Sequence, residues 1–181
     1  MIKSLLRGKM FAIEFFDLLE YLPEIKKHPF RSLGEGERNE AWLPVDGPCG
    51  ELREKLSIMA NDYAHSVLGT EAIMGTALVH NSYNPGDWCV EHIDQYFYRE
   101  VPDTGSRTVS MSLQVERAAE GGLFHLQDRD RERPRMELDL MPGQVIFFPA
   151  DWHHGVTRIE RGIKRSIVCW WRHQSEDRFR S

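Results

Sequence analysis

The stretch EHIDQYF, residues 91–97, contains two residues of metal-binding type at i and i+2, His92 and Asp94. The stretch is predicted to be a β-strand, in which side chains two positions apart point to the same side. Both side chains can therefore reach one ion. A single segment cannot surround an ion, so a third ligand must come from elsewhere. His153 or His154 can supply it, because both follow directly after a predicted buried strand in FFPADWHHGV.

Two histidines and one carboxylate leave three positions of an octahedral ion open on one side, which is the arrangement of non-haem Fe(II) oxygenases. Open positions allow a cosubstrate and O₂ to bind the metal directly. A cationic side chain deeper in the fold would then hold the far carboxylate of the cosubstrate. Lys164, Arg165 and Ser166 follow the histidines in a predicted strand, where Lys164 and Ser166 share one face and Arg165 occupies the other.

The elements that must position these residues are short strands separated by Gly- and Pro-containing turns, which begin near residue 73. This spacing predicts an all-β sandwich or barrel. The stretch RTVSMSLQV, residues 107–115, alternates strictly between apolar and polar side chains. Its apolar face carries Val109, Met111, Leu113 and Val115, and its polar face carries Thr108, Ser110, Ser112 and Gln114. A polar inner face suits a roll whose interior is a binding cleft.

The first 72 residues are predicted to be a helical support for a core at 73–173, within one domain spanning 1–181. The stretch FAIEFFDLLEYL, residues 11–22, has helical spacing and stops before Pro23. A second amphipathic helix is predicted from the recurrence of Leu52, Leu56, Met59 and Tyr63, and Gly69 can end it. The charged stretch 127–136 is interpreted as a solvated hairpin loop, with a mobile loop over a cleft as the alternative.

Composition limits the classes of partner. The 181-residue chain has a formal net charge of −5 and a pI of about 5.9. A chain without a general basic field is not expected to bind nucleic acid or a membrane surface. The three cysteines are too few and too scattered for a disulfide framework, so a reducing, cytoplasmic location is expected. The oligomeric state cannot be read from these features.

Residues from about 79 to 171 resemble the catalytic core of the Fe(II)/2-oxoglutarate dioxygenases, specifically the prolyl-4-hydroxylase-like branch. The matching elements occur in the order of that family. They are Tyr83 with the turn at Pro85 and Gly86, then His92 and Asp94, Arg107, Gly121 and Gly122, Gly143, the FFP at 147–149, His154, Gly162, Lys164, Ser166 and Trp170. The ordered set covers half of the chain and is far more specific than any single motif.

The resemblance implies a mainly β, α+β protein with N-terminal helices and a double-stranded β-helix, the cupin-like jelly roll. Its register, counted from Pro149, implies His154 as the second histidine ligand, with His153 as the alternative. It also implies Lys164 with Ser166 as the anchor for 2-oxoglutarate, with Arg165 as the alternative to Lys164. Tyr83 and Asn81 are further cosubstrate residues by resemblance, and a substrate pocket is assigned to Gln114, Trp88 and Arg107.

The implied cofactors are Fe(II), 2-oxoglutarate and O₂, with ascorbate as a reductant. The implied activity is hydroxylation of an unactivated C–H bond in a protein or peptide, with a small molecule as the alternative substrate. Two departures fall in the pocket: Arg158 replaces a proline common in the family, and Cys89 replaces an aromatic residue.

Three alternatives to peptide hydroxylation remain at this stage. One is a dioxygenase of a free amino acid, a small metabolite or an alkylated base. The others are a zinc-dependent cupin-like hydrolase and a non-enzymatic β-roll binding module. The zinc hydrolase leaves Lys164 and Ser166 without a role.

Overall fold

A computed structural model describes residues 4–7, 11–34, 36–70, 73–95 and 107–173. The helices are α1 (Leu22–Ile25) and α2 (Gly47–Tyr63), and α2 continues into a π-helical turn at Ala64–Leu68. The strands of the first half are β1 (Ser4–Arg7), β2 (Ala12–Phe15), β3 (Arg31–Ser32), β4 (Asn39–Trp42), β5 (Ile73–Gly75), β6 (Val79–Tyr83) and β7 (Cys89–His92). Those of the second half are β8 (Arg107–Glu116), β9 (Glu120–Gly121), β10 (Phe124–Gln127), β11 (Met136–Leu138), β12 (Gln144–Pro149), β13 (His153–Val156), β14 (Ile159–Arg161) and β15 (Lys164–His173).

These strands form a large sheet, a smaller sheet and a two-stranded ribbon. The large sheet has the order β1-β2-β12-β8-β15-β6-β4-β3, with β5 added beside β15. The smaller sheet has the order β11-β10-β13-β7, and β14 pairs with β9. The pairs are antiparallel, and most neighbours in the sheets are distant in the sequence, for example β8 beside β15. The predicted jelly roll with N-terminal helical structure is confirmed.

The large sheet lies between α2 and the smaller sheet, and strand alternation explains how it serves both sides. In β12, Val145 and Phe147 pack in a cluster with α2, while Ile146 and Phe148 pack with Phe124 of the smaller sheet. A strand with period two can bury both of its faces only if each face meets its own apolar layer. The space between the two sheets is the cleft of the roll.

Strand β8 confirms the alternation predicted for residues 107–115. Val109 and Leu113 lie in the core with α2 and have no exposed surface, whereas Ser112 faces the cleft between the sheets. Ser110 and Gln114 are buried on the same polar side and form hydrogen bonds there. A buried polar side chain is stable only when it has such partners.

The prediction of a helix over residues 11–22 is wrong. Residues 12–15 form β2, which pairs with β12 so that Ile13 lies opposite Ile146. The apolar spacing fits either structure locally, and the free edge of β12 supplies backbone partners that favour the strand. Pro23 does not end a helix, because it lies in the first turn of the short α1, where its missing N–H costs nothing.

The second predicted helix is confirmed as α2. Leu52, Leu56, Met59 and Tyr63 are buried along one face of it. The helical run ends at Gly69, whose φ of 64° is the left-handed conformation that glycine adopts without strain. The helical description of the first 72 residues therefore holds for the α2 region, while β1 to β4 of that segment extend the large sheet. The boundary drawn at residue 73 stays a prediction.

The charged stretch 127–136 connects β10 and β11, which pair as an antiparallel hairpin. Its loop therefore forms the hairpin connection that the charge pattern predicted. Within the described ranges, none of the helices has both the length and the apolar character needed to cross a bilayer.

Candidate active site

His92, Asp94 and His154 come together inside the roll. His154 on β13 lies directly opposite His92, the last residue of β7. One ligand atom from each of the three residues lies within 4.8 Å of the others. The Nε2 atoms of His92 and His154 are 3.6 Å and 3.2 Å from the carboxylate of Asp94. This cluster can hold one divalent ion.

The strand predicted over residues 91–97 ends earlier than expected. Strand β7 stops at His92, and the backbone N–H groups of Asp94 and Gln95 both donate to the carbonyl of Ala150, at 2.8 Å and 2.9 Å. The chain thus turns away from β13 and carries the Asp94 carboxylate toward the two imidazoles. The prediction that His92 and Asp94 serve one site holds geometrically, although the reason is this bend and not strand alternation. Tyr96 and Phe97 lie outside the described residues.

Backbone carbonyls orient both imidazole rings. The Nδ1 atom of His92 lies 2.8 Å from the carbonyl oxygen of Val90, and that of His154 lies 3.0 Å from the carbonyl oxygen of Trp152. A carbonyl can only accept, so each Nδ1 carries a hydrogen and each Nε2 is the ring atom left to face Asp94 or a metal ion. Metal-binding histidines are commonly oriented in this way by their second nitrogen.

The Asp94 carboxylate is buried and ionised. Ser110 donates a hydrogen bond of 2.7 Å to its Oδ2 atom. Burial raises the pKa of this carboxyl, but hydrogen bonds and charge interactions with His154, His92 and Ser110 bring it well below its ordinary value. Burial lowers the pKa of the His92 imidazole, but its hydrogen bonds with Asp94 and Cys89 outweigh this effect and raise the pKa to about 10. His92 therefore keeps a second ring proton beside Asp94, and a divalent cation would displace that proton on binding.

The two histidines at the third ligand position differ in orientation. His154 points to Asp94, and its ring is 4.7 Å from that of Phe148, which forms an apolar wall. His153 lies 4.0 Å from Glu91 and 3.5 Å from Arg131, away from this cluster. The next residue, Gly155, must be a glycine, because a Cβ atom there would lie 2.6 Å from the carbonyl oxygen of Cys89. The structure brings His154 to the site and not His153.

Three of the predicted cosubstrate residues, Tyr83, Asn81 and Ser166, line the same cleft from β6 and β15, and Lys164 is buried two positions before Ser166 on the same face of β15. Tyr83 lies opposite Lys164, and Asn81 lies opposite Ser166. Lys164 is 3% exposed, its ammonium donates to Oε1 of Gln114, and burial lowers its pKa to about 8. Within the described part of the chain the hydrogen-bond partner of this lysine is a neutral amide, and Asp139 acts on it only through a charge interaction, so a carboxylate ligand would supply a charged partner in direct contact.

Arg165, the alternative anchor, lies on the opposite face of β15, where its guanidinium forms an ion pair with Glu116. The backbone carbonyl of Arg165 also accepts a hydrogen bond of 3.1 Å from the Gln114 amide. The structure thus places Ser166 in the cleft with Lys164 buried on the same strand face, and it directs Arg165 to the other face.

Of the residues assigned to the substrate pocket, Arg107 lies beside the metal cluster. Arg107 stacks over the ring of Trp170 at 4.1 Å, and its Nη1 atom is 3.7 Å from Asp94. Trp88 is 45% exposed and packs on Gly36, just before β7. Gln114, the third residue assigned to this pocket, is fully buried as the partner of Lys164.

Sequence reasoning missed Arg38. This residue precedes β4, far from every motif, and its side chain lines the cleft together with Asn81, Tyr83 and His92. No spacing signal could have indicated it, because a single arginine between glutamates is typical of an exposed loop.

The comparisons with known proteins agree with this geometry. The family model of the 2OG-Fe(II) oxygenase superfamily matches residues 78–172, just over half of the chain. No curated protein sequence matches the chain significantly.

Solved structures of low sequence identity share the fold. The viral collagen prolyl hydroxylase of Paramecium Bursaria Chlorella virus-1, solved as its 2OG complex, has a TM-score of 0.68 at 16% identity and covers 92% of this chain and 97% of its own. A prolyl hydroxylase from Trichoplax adhaerens, solved with a peptide fragment of the hypoxia inducible factor oxygen degradation domain, has a TM-score of 0.70 at 17% identity and covers 96% and 88%. A Pseudomonas putida prolyl-4-hydroxylase has a TM-score of 0.67 at 15% identity and covers 91% and 93%.

The family assignment accounts for the His–Asp–His cluster and decides against the zinc hydrolase and the binding module. The chain belongs to the 2OG-Fe(II) oxygenase superfamily and is an Fe(II)- and 2-oxoglutarate-dependent oxygenase.

Proposed function

We propose that this oxygenase hydroxylates an unactivated C–H bond of a prolyl residue in a protein or peptide. The observation that carries the proposal is a single cleft containing the His92–Asp94–His154 cluster and, on the strands beside it, the buried cation Lys164. The peptide substrate is supported by the similar folds of prolyl hydroxylases, one of them solved with a peptide. Trp88, which is 45% exposed and packs on the loop that carries Arg38, also offers an apolar surface that suits a peptide chain.

In this proposal His92, Asp94 and His154 hold the iron. Their chemistry fits Fe(II), because two neutral imidazoles and one carboxylate are the ligands that non-haem Fe(II) sites use. Bound iron, with 2-oxoglutarate and O₂, supplies the oxidation that converts C–H to C–OH and 2-oxoglutarate to succinate and CO₂. Ser110 keeps the carboxylate ionised and correctly turned, since it donates to the oxygen that also faces His154.

Lys164, Ser166 and Tyr83 hold the far carboxylate of 2-oxoglutarate. In the free protein the Lys164 ammonium rests on the Gln114 amide, and it would transfer to the stronger, charged acceptor when the cosubstrate enters. Burial raises the pKa of Tyr83 above its ordinary value, so its hydroxyl keeps its proton and can donate to the carboxylate. Asn81 lies across from Ser166 and adds a polar amide to the same wall.

Phe124 and Phe148 exclude water from the reacting side of the cluster. Their rings lie 6.1 Å and 4.7 Å from the ring of His154, and both side chains are buried. A dry wall strengthens the charge interactions within the cleft and limits unproductive reaction with solvent.

We also propose that the protein works in a reducing, cytoplasmic compartment. Cys49, Cys89 and Cys169 are all free and buried, which supports this location.

The proposal is tested by measuring succinate formed from 2-oxoglutarate after O₂ is admitted to protein reconstituted anaerobically with Fe(II) and ascorbate. A pool of proline-rich peptides is expected to stimulate succinate formation and to gain hydroxyl groups detectable by mass. Stimulation by free amino acids, small metabolites or alkylated bases instead would retain the oxygenase and contradict the peptide substrate. The absence of succinate under all conditions would contradict the proposed function.

A matched pair of histidine variants tests the ligand assignment. His154→Ala should abolish succinate formation and Fe(II) binding, whereas His153→Ala should retain activity because its ring points toward Glu91. The opposite pattern would move the ligand to His153.

A further inference from the structure

Arg38 is a cation of the cleft that the iron and 2-oxoglutarate sites do not use. Its Nε atom donates to Oδ1 of Asn81 at 3.2 Å, and its Nη1 atom lies 3.6 Å from the sulfur of Cys89. Cys89 in turn lies 3.9 Å from Nδ1 of His92. The guanidinium is thus two contacts away from the metal cluster.

The hydrogen bonds of Arg38 are not complete. A guanidinium has five N–H donors in a planar fork, and a thiol is a weak acceptor. Among the described residues, the amide of Asn81 and the thiol of Cys89 are its hydrogen-bond partners, while Glu40 and Glu37 act on it through charge interactions alone. A half-buried arginine with free donors in a cleft is suited to a planar oxygen acceptor from a ligand.

Trp88 packs on the loop that carries Arg38, which itself lines the cleft. The Trp88 N–H donates to the carbonyl of Gly36 at 3.4 Å, and the indole packs so closely on Gly36 that a Cβ there would lie 2.8 Å from it. This contact holds the loop before β4 against the start of β7. Trp170, on which Arg107 stacks, also lines the cleft.

2-Oxoglutarate does not need Arg38. In the proposed site its keto acid end would bind the metal, and its far carboxylate would bind Lys164, Ser166 and Tyr83. The acceptor for Arg38 must therefore come from the molecule that is oxidised.

We propose that Arg38 binds the planar oxygen acceptor of the primary substrate, next to the carbon that is hydroxylated. In a peptide this acceptor is a main-chain carbonyl beside the proline, and in a free amino acid it is the carboxylate. The inference rests on the proposed function and adds a specificity residue from outside the residues 78–172 that the family model matches.

The test measures by calorimetry how tightly two substrate probes bind to the full-length protein. The protein is loaded with Mn(II) in place of Fe(II) and with 2-oxoglutarate, so that no turnover occurs. The two probes are acetyl-Gly-Pro-Gly-amide, which has carbonyls and no carboxylate, and free L-proline. Arg38→Gln should weaken the preferred probe about 10- to 100-fold, the range for loss of a charged hydrogen bond. The probe affinity of Arg38→Lys should lie between those of the wild type and Arg38→Gln, since lysine keeps the charge but loses the planar pair of N–H donors.

The control variant is Arg161→Gln, an exposed arginine on β14 that should leave probe binding unchanged. The affinity for 2-oxoglutarate in Arg38→Gln should stay within about threefold of the wild type, whereas Lys164→Met should lose about 10-fold or more. Thermal melts of each variant establish that it is folded.

Tighter binding of the peptide probe would identify the acceptor as a main-chain carbonyl, and tighter binding of free L-proline would identify it as a carboxylate. Unchanged probe affinity in Arg38→Gln would overturn the inference. A loss of 2-oxoglutarate affinity as large as that of Lys164→Met would also overturn it and assign Arg38 to the cosubstrate. Failure of both probes to bind the wild type would overturn it too, while succinate formation would show independently whether the proposed function stands.

Discussion

The affinity for 2-oxoglutarate should fall as the pH rises above 8. Lys164 is 3% exposed, and burial lowers its pKa to about 8. Only the protonated lysine offers a charge to the far carboxylate of the cosubstrate. About nine-tenths of the lysine is protonated at pH 7 and about one-tenth at pH 9, so the dissociation constant should rise about tenfold over this range.

The pH range of this effect distinguishes the titration of Lys164 from that of Asp94 and of 2-oxoglutarate itself. The carboxyls of 2-oxoglutarate are ionised throughout the range, and the pKa of Asp94 lies well below its ordinary value. Neither therefore changes charge between pH 7 and pH 9, and loss of affinity in this window reports the lysine.

The assay is calorimetric titration of Mn(II)-loaded protein with 2-oxoglutarate at several pH values, without O₂. Lys164→Arg is the matched control, because arginine stays charged across the range and should flatten the profile. A wild-type affinity independent of pH, or an equal loss in Lys164→Arg, would refute the reasoning that a buried, titrating lysine holds the cosubstrate.

Three further variants test the metal cluster and the core. Asp94→Ala should abolish Fe(II) binding, measured by equilibrium dialysis, because it removes the only carboxylate of the cluster; retained binding would show that the ligand set is different. Ser110→Ala removes the hydrogen bond that orients Asp94 and should weaken metal affinity about 10- to 100-fold, and unchanged affinity would show that Asp94 needs no such support. Leu56→Ala, fully buried under the large sheet, should lower the free energy of unfolding by about 2–5 kcal/mol in urea titrations, whereas Ile58→Ala, 69% exposed on the same helix, should change it little; equal losses would contradict the assigned faces of α2.

Local patterns were sufficient for much of the fold. The alternation in β8 predicted which side chains face the cleft, because a strand has a fixed period of two. The spacing of Leu52, Leu56, Met59 and Tyr63 predicted α2 for the same kind of reason, since a helix places those positions on one face. The resemblance added the ligand set, and the structure brings those three residues together.

Other features depended on partners distant in the chain. Residues 12–15 carry helical spacing and form a strand, because β12 offers an edge with which they pair. Asp94 reaches the two imidazoles only because the carbonyl of Ala150 accepts two N–H groups and bends the chain after β7. Neither partner can be identified from residues nearby in the sequence.

The sequence by itself determined the chemistry available to this protein: the types of the metal ligands, the lysine and serine on one strand face, and the periods of the main elements. The family register implied His154 over His153, but only the tertiary structure decided that the His154 ring meets Asp94, that Arg165 pairs with Glu116, and that Arg38 enters the cleft. The physical reason is range. Periodicity follows from the backbone geometry of a few neighbouring residues, whereas the surroundings of a side chain follow from which distant strands pair and what they bury.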